Sequence, residues 1–379
     1  MIKLINFIDR PESIVTGKKN LKHLYTFKNF PVFFGCVDTP ESQDLYADMD
    51  WGIDMDTGVV QLTKLIPLEI LYQSQHVDGC GPTWKKYYED LSKYILSNNL
   101  RKVLEIGGGQ GQLAEIATAK SDKLAWTIIE PNPTHKGNKQ IKVLPRFFDE
   151  NFKSKEKVDA VVFSQLLEHI YEPKKFLGAI AGYLKPGGKL IFAYPNLYLW
   201  LRRKYTNALN FEHTMFLTDY FVDYLLKEAG FTITNKKKYK DHSYFYVAVK
   251  GVKKRKSKFT NHYKRYKRVF VDFVTYHRRM VTGLNKKIDS SKEPVYCFGA
   301  HIFTIYLIAF GLKTKEIVKI LDNSPTKRGK RLYGTSLFVD SPKILRGKGV
   351  VNVILKAGIY NEEIKKDILE NINPEVVFW

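Results

Sequence analysis

The stretch VLEIGGGQGQLAE, Val103 to Glu115, restricts the fold more than any other part of the chain. An apolar run gives way to glycines at 107, 108, 109 and 111, and then to helix-forming residues. This spells a strand, a tight turn and a helix. Glycine admits backbone conformations closed to other residues, and its bareness lets a ligand approach the helix N-terminus closely. The sequence on either side continues the pattern. A helix begins near Thr83, with Trp84, Tyr87 or Tyr88, Leu91, Tyr94 and Ile95 on one stripe. AWTIIE, IKVL, VDAVVFS and GKLIFAYP are near-continuous apolar runs, as strands buried on both faces require. Helices are predicted from Gln112, Pro173 and Thr218. FTITNKKKY and SYFYVAVK, separated by a turn at Lys240–Asp241, are predicted to pair antiparallel at one edge. The fold class is therefore α/β, with a doubly wound, Rossmann-like central sheet.

With 379 residues the chain has room for more than this sheet. Four parts are expected. Residues 1–85, punctuated by Pro11, Pro31, Pro40, Pro67 and Pro82, form an irregular N-terminal substrate or lid lobe. Residues 86–252 hold the central sheet. Residues 253–290 are a basic helical linker, with apolar residues at helical spacing from Phe259 to Ile288. Residues 291–379 alternate strand and helix again, through VYCFGA, EIVKILD, VVNVIL and EVVFW, as a small Rossmann-like unit.

The net charge of +22 invites a phosphorylated substrate, a nucleic acid or an anionic surface as partner. Thirteen Lys and Arg against one acid, Asp272, fall between Val252 and Lys287. Three scattered cysteines, Cys36, Cys80 and Cys297, argue against a disulfide framework and suit a cytoplasmic setting. No apolar run reaches ~18 residues, so no membrane span is expected, although peripheral contact stays open. MIKLINFIDRPES lacks the pattern of a signal peptide.

The ligand of the glycine turn can be read from two carboxylates. Glu105 sits in the strand just before the glycines, where it would repel a pyrophosphate but suit an ammonium group. Glu130 ends the next strand, about 20 residues beyond the turn, where a carboxylate takes ribose hydroxyls. An amino acid joined to a ribose without phosphate describes S-adenosylmethionine.

VLEIGGGQG, IIEPN, VDAVVFSQLLEHIYEP and LKPGGKLIFAYPN together resemble the successive motifs of class I S-adenosylmethionine-dependent methyltransferases, over roughly Lys102 to Lys250. The resemblance implies that Gly107, Gly108, Gly109 and Gln112 line the methionine side. It puts Glu130 and Pro131 at the ribose, Phe148 or Asp149 beside adenine, and Ser164 and Gln165 beneath the sulfonium. DMDTGVVQLTKLIP, NFEHTMFLTDYFVDYLLKEAGF and VYCFGAH…ILDNSPTKRGKRLYGT extend the likeness to the three-part sugar C-methyltransferases. Those enzymes act on nucleotide-linked keto-deoxysugars and carry a zinc-binding N-terminal lobe. Here Asp54 and Thr57 replace the Cys-x-x-Cys pair, so no metal is expected and the lobe should be held by packing. Asn210 stands where that family has a Tyr, two residues before Glu212.

A methyl acceptor must lose a proton, and imidazole can take it at neutral pH. His213, beside Glu212, is the first candidate base, and His169 in LLEHIYEP is its rival. His76, Trp84, Asn196, Asn210 and His242 are candidate substrate contacts. The expected function is O- or C-methylation of a sugar or nucleotide-sugar in polysaccharide or glycan biosynthesis. A nucleic-acid methyltransferase and a non-catalytic cofactor-binding scaffold are the alternatives. The first is disfavoured because SQLLEH occupies the place of an Asn/Asp-Pro-Pro-aromatic motif. Asp322 ends a C-terminal strand as a ribose-binding acid would, but CFGAH lacks the glycines of a dinucleotide site, so no NAD site is expected.

Overall fold

The computed structural model describes residues 5–72, 82–149, 152, 156–251 and 259–379. Its centre is a seven-stranded sheet. From edge to edge the strands are Phe231–Tyr239, Ser243–Lys250, Lys189–Pro195, Ala160–Ser164, Lys102–Ile106, Ala125–Ile129 and Ile141–Leu144. Numbered along the chain, this is the order 6-7-5-4-1-2-3. Pairings among the first five strands are parallel, and the seventh runs antiparallel to both its neighbours. The predicted edge hairpin at Lys240–Asp241 is present.

The apolar runs have their cause in the layers. Helices Pro82–Leu96 and Gln112–Thr118 cover one face, around Leu91, Leu113 and Trp126. Helices Pro173–Tyr183 and Asp219–Glu228 cover the other, where Phe163, Phe192 and Tyr246 stack with centroids 4.7 and 4.8 Å apart. The first and fourth strands lie side by side, so the winding reverses between them. Ligand crevices form outside the carboxyl ends of strands at such a reversal.

The N-terminal part is more regular than its prolines suggest. Leu21–Pro31 and Tyr46–Asp54 pair antiparallel, and Val60–Leu62 joins them. The long first strand escapes sequence reading because register shifts at His23/Tyr25 and Phe27/Phe30 break its two-residue alternation. The fourth strand of this sheet, Met215–Phe216, comes from beyond the fifth strand of the central sheet.

Asp54 ties the N-terminal lobe together. It is fully buried and accepts from Thr16 Oγ1 (3.2 Å), Asn20 Nδ2 (2.9 Å), the Asp56 and Thr57 amides (2.7 and 3.3 Å), and Ser13 Oγ. A carboxylate has about four acceptor sites. These donors use them, and the residues here do not fit a zinc knuckle. The lobe is thus knit by buried hydrogen bonds, where packing alone was the expectation.

Helix Tyr263–Ser290 buries Tyr266, Phe270, Phe273, His277, Leu284 and Ile288, the stripe its spacing predicts. The C-terminal unit is a five-stranded parallel sheet ordered Val339–Asp340, Ile317–Leu321, Val295–Phe298, Val351–Leu355, Val376–Phe378. It grips the N-terminal lobe through Arg331, whose buried guanidinium meets Asp44 at 2.6 Å. The Tyr306 hydroxyl donates to the Leu209 carbonyl, just ahead of Asn210. Asp322 is committed locally, accepting the Ala300 amide and Lys327 Nζ, each at 2.9 Å. Cys36 and Cys297 are free thiols, and Cys80 lies outside the described residues. Among the described residues no helix is long and apolar enough to cross a membrane.

Candidate active site

The glycine turn sits at the winding reversal. Gly107, Gly109 and Gly111 take φ of 72°, 51° and 79°, a region that other residues enter at a cost. Gly108 needs its bareness for a different reason. A Cβ there would lie 2.7 Å from Ile128 Cγ2 and 3.1 Å from the Glu105 carboxyl carbon. Glu105 is buried beneath the turn and accepts the Trp126 indole N–H at 2.7 Å. Part of its role is therefore to hold the floor of the turn. Gln112 opens the following helix, with Nε2 3.5 Å from Gln110 Oε1.

Glu130 closes the far side. Its Oε2 accepts the Gly109 amide at 3.2 Å and its Oε1 the Asn132 amide at 3.1 Å. About two acceptor sites remain, enough for a vicinal diol. Glu130 and Pro131 open on a cavity whose walls include Ile106, Phe148, Leu166 and His169. A bare turn, a diol-accepting carboxylate and an apolar slot with an aromatic wall suit the three parts of S-adenosylmethionine. Asp149 is exposed and outside the cavity wall, so of the two adenine candidates only Phe148 faces it. Ser164 and Gln165 are engaged elsewhere. Ser164 Oγ lies 2.7 Å from Tyr87 Oη, and Gln165 Nε2 donates to Tyr87 Oη and Ser243 Oγ, both at 2.9 Å. Gln165 holds this position with φ of 50°, a strained value for a non-glycine residue.

The two rival bases meet. His169 ends the 3₁₀ turn Leu167–His169 that follows the fourth strand. Its ring centroid is 5.1 Å from that of His213, edge to face. His169 Nδ1 lies 3.2 Å from Tyr72 Oη and 3.8 Å from Glu212 Oε2, and Nε2 lies 3.9 Å from Glu168 Oε1. Asn210 shapes the loop that presents the pair. Its Oδ1 accepts the amides of Glu212 (2.9 Å) and His213 (2.7 Å), a turn that Asn side chains form readily. Its oxygen is thus a loop former and not the substrate contact expected from sequence. Thr218 stands at the N-cap of the next helix, but its hydroxyl pairs with Tyr266 Oη at 2.8 Å and caps nothing.

Burial sets the charge states. It pushes the Glu168 carboxyl up to about 8, and one oxygen of that side chain has no hydrogen-bond partner. It pulls the half-buried His213 ring down to about 4, with Nδ1 3.3 Å from the Ala208 carbonyl. At neutral pH, Glu168 is a neutral acid and His213 a neutral imidazole. One ligand atom from each of Glu168, His169 and His213 lies within 4.8 Å of the others, a set that could hold a cation.

Four residues of this site are not singled out from the sequence: Glu168 and Tyr171, which stand inside LLEHIYEP beside His169, and Tyr72 and Arg10, which lie in no motif. Arg10 donates to the carbonyls of Leu62 (2.9 Å), Tyr171 (3.2 Å) and Thr214. The remaining candidates form a separate group. The rings of Trp84, Tyr87 and Trp200 surround His242 with centroids 5.3 to 5.4 Å away, and burial lowers His242 to about 4. Asn196 caps helix Leu197–Arg202 by accepting the Leu199 amide at 3.3 Å. None of Trp84, Asn196 and His242 lines the cavity. His76 lies outside the described residues.

Residues 82–236 match a family model described as a methyltransferase domain. Comparison with curated proteins finds no match. Similar solved structures include an O-methyltransferase family protein from Burkholderia thailandensis, at 13% identity over 45% of this chain and 57% of that one, with a TM-score of 0.37. The N-methyltransferase NodS from Bradyrhizobium japonicum WM9 gives 16% identity, 45% and 98% coverage, and a TM-score of 0.35. Human N-acetylserotonin methyltransferase, solved with SAM, gives 18%, 49% and 61%, and 0.37. This chain spans little more than half the length of the first of these, and scores so low assign no substrate. The family match covers the first five strands of the sheet, the glycine turn and the His169–His213 meeting point together. Over residues 82–236 the chain is a class I methyltransferase domain, and S-adenosylmethionine is its cofactor.

Proposed function

We propose that this protein methylates a sugar or nucleotide-linked sugar, at a ring hydroxyl in preference to a carbon. The observation that carries the reading is the polar rim of the cofactor cavity, where Tyr72 and His169 line the wall and His213 and Glu212 adjoin His169 from outside that lining. A polyol offers donors and acceptors to match such a rim. The three-part layout, shared with the sugar C-methyltransferases that the sequence resembles, supports the same substrate class. Oxygen is favoured over carbon because Asn210 replaces the Tyr of those enzymes and spends its side chain on the loop.

S-adenosylmethionine, when bound, supplies an electrophilic methyl carbon on a sulfonium. His169, on the cavity wall, takes the hydroxyl proton. The acceptor oxygen, freed of its proton, would take the methyl carbon as the sulfonium gave it up, and the positive charge would end on the His169 imidazolium. Glu212, 3.8 Å from Nδ1, stabilises that charge. His213, held neutral by burial, packs edge to face on His169 and orients it. Positioning of this kind supplies much of the rate of an in-line displacement.

The test is mass spectrometry of nucleotide sugars incubated with the protein and the cofactor. A sugar that gains one methyl group, lost in His169→Ala by about 100-fold while cofactor affinity stays within a few fold, supports the reading. Methylation confined to added nucleic acid, or turnover indifferent to His169→Ala, refutes it.

A further inference from the structure

A groove beside the first turns of helix Tyr263–Ser290 is walled by Arg202, Lys204, Lys264, Arg265 and Arg268, with Tyr198 at its back. Its one acid, Asp272, faces Arg268 at 3.8 Å. Among the described residues, no carboxylate oxygen comes within 4.0 Å of the charged nitrogens of Arg202, Lys204, Lys264 or Arg265. Arginine and lysine along a solvated helix normally spread apart. Here two elements bring them together and hold them there.

Arg265 is fixed by Tyr198. Its Nε donates to Tyr198 Oη at 3.0 Å, and its guanidinium carbon lies 4.7 Å from the ring centroid. Arg202 leans on the same ring at 5.8 Å. Lys204 reaches its place through a left-handed backbone, φ 66°, which costs a lysine energy that a glycine would be spared. Burial depresses its ammonium; the charge of Asp272 works against this, and that of Arg202, the smallest of the three influences, adds to it. Five cations around one acid leave the groove with an excess of positive charge, which a bound anion would offset. Guanidinium forks match phosphate oxygens in pairs, whereas lysine meets them as a point charge.

We propose that this groove binds a diphosphate, or two adjacent phosphate groups, on a nucleotide-linked or lipid-linked ligand. Tyr198, Arg202 and Lys204 belong to the segment that leaves the fifth strand of the central sheet and runs on to the Asn210 loop. An anion seated there steadies the segment that presents Glu212 and His213. The inference goes beyond the proposed sugar methylation and stands even if His169 serves another acceptor.

The test is calorimetric titration of the full chain with inorganic pyrophosphate in physiological salt. Saturable one-to-one binding is expected, weakened about 30-fold or more by Arg202→Glu with Lys264→Glu, and about 5-fold by Arg265→Lys, which keeps the charge and loses the fork. S-adenosylmethionine binding, measured alongside, should stay within about 2-fold and reports an intact fold. A nucleoside diphosphate and an isoprenyl diphosphate are then compared, and the tighter of the two names the source. Binding that does not saturate, or that the double variant leaves unchanged, overturns the proposal. So does affinity for phosphatidylglycerol vesicles, over phosphatidylcholine ones, without affinity for pyrophosphate, which would make the groove a membrane-facing surface.

Discussion

Replacing Arg10 with Met should damage catalysis far more than stability. Arg10 Nε donates to the Leu62 carbonyl at 2.9 Å, Nη1 to the Tyr171 carbonyl at 3.2 Å and Thr214 Oγ1 at 3.5 Å, and Nη2 to the Thr214 carbonyl. Tyr171 follows His169 by two residues and Thr214 follows His213 directly. One guanidinium therefore joins the arms that carry His169 and His213 to the N-terminal sheet. Burial pulls that guanidinium down to about 9, from 12.5. A shift of this size counts roughly 5 kcal/mol against the charged folded form. Four hydrogen bonds from a charged donor return about 1.5–3 kcal/mol each. Met removes both sides, so most of the loss and most of the relief cancel. What persists is the shortage of donors at the Leu62 and Tyr171 carbonyls, at about 1–3 kcal/mol each. The Thr214 carbonyl keeps the Leu62 amide at 2.9 Å. Urea unfolding should show a net loss of about 1–3 kcal/mol. Methyl-transfer kcat on the acceptor found by mass spectrometry should fall about 10- to 100-fold, because a shift of about 1 Å in a positioned base costs that much. Cofactor affinity should hold within about 3-fold, since Glu130 and the glycine turn do not touch Arg10. Arg10→Lys should not rescue, as one ammonium cannot reach three carbonyls lying in different directions. An Arg10→Met variant with reduced stability and unchanged kcat would show the clamp to be structural only.

Three further outcomes are expected. Gly108→Ala should weaken S-adenosylmethionine binding about 10-fold or more by calorimetry, because its Cβ would lie 2.7 Å from Ile128 Cγ2 and lift the turn; unaltered affinity would remove the turn from the cofactor site. Asp54→Ala leaves the donors of Ser13, Thr16, Asn20, Asp56 and Thr57 without their acceptor and should cost about 3–5 kcal/mol or release the N-terminal lobe to limited proteolysis; added zinc should not restore it. Glu168, raised to about 8, keeps its proton in the folded chain after the unfolded chain has lost it, so it subtracts stability as pH rises from 4.5 to about 8. Below 6.5 this is opposed by His213, His242, His277 and His301, each lowered to about 4, which add stability between about 4 and 6.5 as the unfolded chain gives up its extra protons. Stability should therefore peak near pH 6.5 and fall by about 2 kcal/mol by pH 8, and Glu168→Gln should abolish the alkaline fall in urea titrations.

The central sheet was legible because its inner strands, Lys102–Ile106, Ala160–Ser164 and Lys189–Pro195, are buried on both faces, whereas the exposed edge strand Phe231–Tyr239 was read from the turn that follows it. Such strands must be apolar throughout, and turns bounded by glycine or proline delimit them. The cofactor end was legible for a related reason. Gly107 to Gly111 and Glu130 act through backbone conformation and a strand terminus, and both leave marks at fixed spacing. Leu21–Pro31 left no such mark, since two register shifts scramble its alternation. Met215–Phe216 left none because two residues hold no periodicity. Ser164 and Gln165 sit at the strand end where a cofactor contact belongs, yet Tyr87 and Ser243 claim their side chains. Position along a motif told where these residues stand, and only the neighbours told which way they are committed.

The acid–base group follows from the same logic. His169 and His213 looked like rivals because each lies in its own motif. They meet because the Asn210–Thr214 loop is fastened on three sides. Met215–Phe216 pairs with Val60 and Gln61, the Thr214 amide donates to the Glu168 carbonyl at 3.1 Å, and Tyr306 holds Leu209 from the C-terminal unit. Two of these fasteners are backbone pairs that any residue could make, so no residue type betrays them. Their consequence is mechanical. The N-terminal lobe cannot lift away from the cofactor cavity without drawing His213 away from His169, since the strand that it holds begins two residues after His213. The N-terminal sheet and the His213 loop are therefore expected to move as one unit.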